Sequence, residues 1–270
     1  MKKLLLTILL ISGYSALFAQ GTQKVFPLGV IDDVQSLELK EKRILNIYLP
    51  EGYDTGKGTY PVIYLLDGSA NEDFIHIVGE VQFLVMIQAM PQTIIVGIAN
   101  VDRRRDFTFP TSVEKDKKAY PTTGGSAKFI SFLEKELEPY IEKKYRCNGS
   151  STLIGESLGG LLAAEILLKK PQLFNNYVLV SPSLWWDNES LLARAPQLLQ
   201  SSADNNIRVC ISVGTEGKQM EDDAKQLDSL LKTSGKKHLV TEWVPMPEED
   251  HLTILHLSAY KCLQLLNKKK

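Results

Sequence analysis

Short apolar segments alternate with helical patterns along most of this chain, and that alternation limits the possible folds more than any other feature. Six segments of strand length are rich in β-branched residues, as expected for strands buried on both faces of a parallel sheet. They are residues 62–66, 93–99, 152–154, 177–180, 207–213 and 239–244. Before them, residues 35–39 and 43–49 flank Lys40-Glu41-Lys42, which predicts an antiparallel hairpin.

Helical patterns occupy the intervals between these segments. The predicted helices are residues 71–90, 126–145, 158–169, 189–199, 217–231 and 252–266. Strands that alternate with helices predict an α/β fold, with a mostly parallel, doubly wound sheet and helices on both faces. In such sheets ligands bind at the carboxyl ends of the strands. Functional residues are therefore expected in the turns that follow strands.

The first residues have the pattern of a secretory signal peptide. Lys2 and Lys3 precede an apolar run at residues 4–11, and small residues lead to Ala19. That run is too short to span a bilayer. We expect removal of residues 1–19 and export of residues 20–270, as one periplasmic or secreted domain without stable membrane insertion.

Charge and cysteine usage exclude several classes of protein. Lys plus Arg (31) nearly balances Asp plus Glu (32), so nothing indicates a nucleic-acid partner. The three cysteines, Cys147, Cys210 and Cys262, lack the spacing of a zinc site, and no metal is expected. Cys210 and Cys262 fall in apolar segments and are expected as buried free thiols, with one disulfide as the alternative.

A candidate nucleophile follows the third of the apolar segments. Gly155-Glu156-Ser157-Leu158-Gly159 has the form G-x-S-x-G and lies between a predicted strand and a predicted helix, as this motif requires. The motif places the Ser157 hydroxyl at a strained turn above the sheet, where the N–H of Leu158 can bind an oxyanion. The alternative is an ordinary glycine-rich turn.

His251 is the candidate general base. In α/β-hydrolases the serine precedes the acid and the acid precedes the histidine. Of the four histidines, His76 precedes Ser157, His238 begins a predicted strand, and His256 falls inside the last helix. His251 lies in a polar loop after the last strand, at the expected edge of the sheet. A solvent-exposed loop histidine is the alternative.

Glu216 is the candidate acid, because it follows the strand at residues 207–213 and would lie beside the base. Glu221, Asp222 and Asp223 in the next helix are alternatives. Asp250 adjoins His251 directly, but neighbouring side chains point apart. The loop after residues 62–66 offers a second oxyanion donor, the N–H of Ser69, and we expect Asp67 to brace that loop.

Four segments of the chain, one of which contains the G-x-S-x-G motif, are similar to those of a known family. They are Tyr64-Leu65-Leu66-Asp67-Gly68, Arg103-Arg104-Arg105-Asp106-Phe107-Thr108, residues 155–160, and Ser181-Pro182-Ser183-Leu184-Trp185-Trp186-Asp187. Together they resemble the esterase family of α/β-hydrolases, which includes siderophore trilactone esterases, feruloyl and acetyl xylan esterases, S-formylglutathione hydrolases and the mycolyltransferase antigens. The resemblance covers residues 34–265.

The resemblance implies an α/β-hydrolase fold without a large lid domain, and cleavage of carboxylic esters without a cofactor. The substrate would be a small-molecule or carbohydrate ester, such as a siderophore trilactone or an acylated sugar. Trp185 and Trp186 would form an aromatic wall for it, or pack the loop. Arg105, within the run at residues 103–105, would meet an anionic substrate, or pair with Asp106 as a brace.

These expectations combine into a two-step acyl transfer through an acyl-enzyme on Ser157. Activity is expected to fall below about pH 6, as an imidazole with an ordinary pKa takes up a proton. Two alternatives use the same scaffold: an acyltransferase with the same triad, and a binding protein that has lost catalysis.

Overall fold

A computed structural model of the chain describes residues 24–268. The predicted signal peptide, residues 1–19, lies outside this part. Eight strands form one sheet in the order β1-β2-β4-β3-β5-β6-β7-β8. The strands are β1 Val30–Ser36, β2 Glu41–Tyr48, β3 Tyr60–Leu65, β4 Ile94–Ile98, β5 Cys147–Glu156, β6 Asn176–Val180, β7 Ile207–Val213 and β8 Leu239–Pro245.

The sheet confirms the predicted fold class. β1 and β2 form an antiparallel hairpin as predicted, but the first strand ends at Ser36 and the turn is at residues 37–40, earlier than Lys40-Glu41-Lys42. β2 also pairs antiparallel with β4. The remaining neighbours, from β4 to β8, are all parallel. Every parallel strand therefore ends at the same edge, where the turns after β3, β5, β6, β7 and β8 come together.

Helices cover both faces of the sheet. The helices are α1 Phe74–Met86, α2 Arg103–Phe107, α3 Glu114–Ala119, α4 Ser126–Phe132, α5 Glu138–Lys144, α6 Leu158–Lys169, α7 Trp186–Ser201, α8 Lys218–Lys232 and α9 Ile254–Leu266. A π-helical turn, Leu133–Leu137, joins α4 to α5. The prediction missed α2 and α3, because helices of five and six residues are too short to show a period.

Alternation along the strands divides the core into two layers. In β3, Val62 and Tyr64 pack into the layer beneath α4 to α8, whereas Ile63 and Leu65 face α1 and α9. Side chains on a strand point alternately to the two faces, so a strand covered on both sides must be apolar throughout. Within residues 24–268, no helix has both the length and the apolarity to span a membrane.

The structure contradicts the expectation that Cys210 and Cys262 are free thiols. Cys210 on β7 and Cys262 on α9 form a disulfide that closes 52 residues of chain, and both residues are fully buried. Sequence spacing could not show this pair, because the two cysteines meet only when α9 packs on the sheet. Cys147 on β5 is a free thiol.

We predict that replacing both Cys210 and Cys262 by alanine lowers the free energy of unfolding by about 4 kcal/mol, since a cross-link over this length restricts the unfolded chain. Urea denaturation of the wild type and the double variant measures the difference. The matched control is Cys147→Ala, which removes a thiol but no cross-link and is expected to change stability less. If three thiols react in the unreduced, unfolded protein, the disulfide is absent.

Candidate active site

Ser157 lies at the sharp turn between β5 and α6, as the motif predicts. Its backbone has φ 56° and ψ −116°, a left-handed conformation that is costly for a residue with a side chain. A Cβ at Gly155 would collide with the carbonyl oxygen of Gly159, which explains why glycine occupies that position. Leu158 is the first residue of α6, so its N–H has no acceptor within the helix.

His251 reaches Ser157 from the loop between β8 and α9. Its Nε2 lies 3.0 Å from the Ser157 Oγ, although 94 residues separate the two in sequence. Backbone hydrogen bonds hold this loop against the end of β7: Met246 N–H donates to the Val213 carbonyl (2.9 Å) and Thr215 N–H to the Glu249 carbonyl (2.8 Å). The structure thus brings together the two residues predicted from different strand ends.

Glu216 contacts the other ring nitrogen of the same imidazole. Its Oε2 lies 2.5 Å from the His251 Nδ1. The Glu216 carboxylate is 2% exposed, and its second oxygen accepts hydrogen bonds from the Ser181 hydroxyl and the Gly214 N–H. Glu216, His251 and Ser157 therefore form a continuous hydrogen-bonded series.

The alternative carboxylates are engaged elsewhere. Glu221 accepts the N–H groups of Glu216 and Gly217, each at 3.1 Å. Asp222 pairs with Lys218, and Asp223 is buried in α8. Asp250 accepts the Leu252 N–H at 2.8 Å.

Electrostatics in this series favour a charged carboxylate beside a basic imidazole. Burial acts to raise the pKa of Glu216, but hydrogen bonds from His251, Ser181 and the Gly214 N–H outweigh it and lower the pKa. The hydrogen bond to Glu216 raises the pKa of His251 above its usual value, against the opposing effect of burial. His251 therefore takes up a proton at a higher pH than the sequence alone suggested.

An open cleft of about 560 Å³ lies above Ser157 and His251. Tyr120, Trp185, Met220 and Leu252 form its apolar wall. Another groove, of about 1020 Å³, lies between the C-terminal ends of α1 and α9. That groove is at the opposite edge of the sheet from Ser157 and contains neither of these catalytic candidates.

The two tryptophans have different positions. Trp185 is half-buried and lines the cleft. Trp186 is fully buried, and its indole N–H donates to the Phe109 carbonyl at 2.9 Å. A side chain without solvent exposure cannot form the wall of an open cleft, so Trp186 does not bind a ring there. The structure supports the other reading of Trp186, in which it packs the loop.

Arg105 is also a brace and not a cleft residue. Its guanidinium donates to Asp106 at 2.8 Å and to both carboxylate oxygens of Glu41 at 2.6 and 3.1 Å. Asp106 in turn pairs with the buried Arg43. The structure thus supports the reading of Arg105 as a brace that pairs with Asp106, and the Glu41 contact also joins α2 to the β1–β2 hairpin.

Arg103 fixes the loop that was expected to supply the second oxyanion donor. Its guanidinium binds both carboxylate oxygens of Asp67, at 2.6 and 3.0 Å, and the Glu156 carbonyl at 3.2 Å. Asp67 therefore braces the loop, as expected. The N–H of Ser69 donates to the Glu72 carboxylate at 3.3 Å, so in this structure it is not free to bind an oxyanion.

Comparison with known proteins agrees with this fold and geometry. Residues 36–251 match a family model described as "Putative esterase". The ferri-bacillibactin esterase BesA of Bacillus subtilis (strain 168) is 30% identical over 271 positions, which cover 90% of this chain and 92% of that protein. A solved IroE-like serine hydrolase from Shewanella oneidensis is 31% identical with a TM-score of 0.81, covering 88% of this chain and 80% of that one. The BES protein of Bacillus cereus is 28% identical with a TM-score of 0.80, covering 93% and 100%.

The fold and the comparisons define an α/β-hydrolase that hydrolyses carboxylic esters. Within that class, the chain belongs to the esterase family, whose model spans most of its length.

We predict that the His251 imidazole titrates above pH 6.5, its ordinary value, and that Glu216→Gln moves this titration to lower pH. The substitution removes the carboxylate that raises the pKa and leaves burial, which lowers it. Nuclear magnetic resonance of the imidazole signals measures both values. His76 serves as an internal control, because burial and the nearby His256 lower its pKa in either protein. An unchanged titration of His251 in Glu216→Gln would contradict the assignment.

Proposed function

We propose that Ser157, His251 and Glu216 are the catalytic triad of this esterase. The observation that supports it is the hydrogen-bonded series from Glu216 through His251 to Ser157 at the floor of an open cleft. The distance of 3.0 Å between His251 Nε2 and Ser157 Oγ is within the range for proton transfer. Glu216 holds the imidazole in the tautomer whose Nε2 accepts a proton.

The reaction runs in two steps. The Ser157 oxygen attacks the ester carbonyl carbon as His251 accepts its proton, and the alcohol then leaves with that proton. Water attacks the acyl-enzyme in the second step, again with His251 as base, which releases the acid and restores Ser157. The Leu158 N–H donates to the oxyanion, a contribution of about 3 kcal/mol. For the second donor we propose the Ser69 N–H, which would have to exchange its contact with Glu72 for the oxyanion.

A siderophore trilactone is the substrate we propose. The Bacillus subtilis relative is named for ferri-bacillibactin, and its similarity extends over nearly the whole of both chains. In this protein, Trp185 and Tyr120 offer flat surfaces to an aromatic group. Arg104, an exposed residue, lies over the Tyr120 ring with its guanidinium carbon 5.1 Å from the centroid, which places a positive charge beside the cleft. Aromatic surfaces beside a cation suit an anionic catecholate better than a neutral acylated sugar.

We also propose that the protein is exported. The Cys210–Cys262 disulfide favours this location, because disulfides persist in oxidising compartments. N-terminal sequencing of protein recovered from the periplasm or medium tests cleavage after Ala19. A protein that retains Met1 and stays in the cytoplasm would contradict the proposal.

Ser157→Ala is expected to lower turnover of p-nitrophenyl acetate by at least about a thousandfold while the protein still folds, because no other group replaces the nucleophile. A fluorophosphonate probe tests the same assignment by mass spectrometry, and it should label Ser157 and not the nearby Ser183. Labelling also separates the esterase from a non-catalytic binding protein. Adding an acceptor alcohol and analysing the products separates it from an acyltransferase. Turnover near the wild-type rate in Ser157→Ala would refute the triad.

Arg104→Gln is expected to raise the KM for an iron-loaded catecholate trilactone several-fold, since the cation beside the cleft is lost. The KM for p-nitrophenyl acetate, which is neutral, should not change. The same panel includes feruloyl sugar esters. If Arg104→Gln affects all esters equally, or if feruloyl sugars are the best substrates, the siderophore proposal fails while the triad stands.

A further inference from the structure

The Ser-Pro-Ser segment, residues 181–183, forms a loop directly after β6 and contacts two members of the proposed triad. The Ser181 hydroxyl donates to Glu216 Oε1, and the Ser183 Oγ lies 3.3 Å from the Ser157 Oγ. Neither serine was among the sequence-based candidates, because Glu216 is 35 residues and Ser157 26 residues away in sequence, and no local pattern shows these contacts.

Backbone contacts fix this loop against the nucleophile. Ser157 N–H donates to the Val180 carbonyl, and Ser183 N–H donates to the Ser157 carbonyl, both at 3.0 Å. A Cβ at Gly160 would lie 2.9 Å from the Cα of Pro182, so the loop touches the first turn of α6. The buried Trp186 secures its far end through the Phe109 carbonyl.

Burial and backbone conformation indicate that Ser181 has a specific role. Ser181 is fully buried and has φ 42°, a conformation that costs free energy for any residue with a Cβ. Its hydroxyl is one of two donors to Glu216 Oε1, the other being the Gly214 N–H. Charge-assisted hydrogen bonds of this kind are about twice as strong as neutral ones.

We propose that Ser181 and Ser183 are positioning residues for the esterase reaction, with Ser181 holding the acid and Ser183 holding the nucleophile. The proposal rests on the triad assigned above. Since Ser181 and Ser183 are separated only by Pro182, one short and rigid loop sets the spacing between Glu216 and Ser157. The distance of 3.3 Å at Ser183 is long for a bond between hydroxyls, so Ser183 contributes less than Ser181.

Ser181→Ala is expected to lower kcat about tenfold, the effect of losing one charge-assisted hydrogen bond. The KM for p-nitrophenyl acetate should stay the same. The acidic limb of the pH profile of kcat/KM should move to higher pH, because a carboxylate with one donor fewer attracts the protonated imidazole more strongly. His251 also faces Glu156 and Arg103, and both are unchanged in this variant.

Ser181→Gly distinguishes the effect of losing the hydroxyl from the effect of backbone strain, since glycine adopts φ 42° without strain. The glycine and alanine variants should be equally slow if the hydroxyl acts by holding Glu216. If the hydroxyl only holds a strained backbone in place, the glycine variant should keep the wild-type rate and the alanine variant should be slow. Ser183→Ala should lower kcat and the rate of fluorophosphonate labelling by about threefold, without moving the acidic limb, as expected for loss of a weak hydrogen bond.

Ser212→Ala is the matched control. Ser212 is a fully buried serine on β7 beside this loop, and its hydroxyl has no hydrogen-bond partner among residues 24–268. This variant should keep the wild-type kcat and pH profile. The proposal is overturned if Ser181→Ala keeps its kcat, if its acidic limb does not move upward, or if Ser212→Ala is equally slow. In those cases an inactive Ser157→Ala still supports the triad. An active Ser157→Ala would instead contradict both the triad and the proposal for Ser181 and Ser183.

Discussion

The candidate site depends on one set of backbone hydrogen bonds, those that hold the loop after β8 to the end of β7. Thr215 N–H donates to the Glu249 carbonyl, and Met246 N–H donates to the Val213 carbonyl. These backbone hydrogen bonds bring the loop that carries His251 next to Glu216 without any contribution from the two side chains. A Cβ at Gly214 would collide with the carbonyl oxygen of Glu249, so the close approach of the two segments requires glycine there.

Hydrogen bonds, more than packing, explain how a partly exposed imidazole can be held accurately. His251 is 41% exposed at its side chain, so packing alone does not fix its ring. Its orientation comes from hydrogen bonds at both nitrogens, to Glu216 and to Ser157. Glu216 by contrast is almost completely buried, and its negative charge is stabilised by His251, Ser181 and the Gly214 N–H. The buried Glu216 carboxylate thus fixes the orientation of the more exposed His251 ring.

Sequence reasoning agrees with the structure where the position of a residue follows from chain order, and it fails where the position follows from packing. Ser157, His251 and Glu216 each occupy a turn after a strand, and the structure brings them together because parallel strands end at one edge. The Cys210–Cys262 disulfide and the burial of Trp186 depend on how α9 and α7 pack on the sheet, and no local pattern encodes that. Glu41 and Arg105 are 64 residues apart in sequence, so their ion pair was not visible either.

The arginines at residues 103–105 also show the difference between chain order and packing. They are consecutive in sequence, but their side chains have different partners in the structure. Arg103 and Arg105 each reach a carboxylate, Asp67 and Glu41, so their charges are neutralised within the fold. Arg104 lies between them on α2, and since neighbouring residues of a helix point in different directions, its guanidinium lies instead over the ring of Tyr120. Arg103 thus fixes the loop after β3, Arg105 joins α2 to the β1–β2 hairpin, and Arg104 remains exposed beside Tyr120, which lines the cleft.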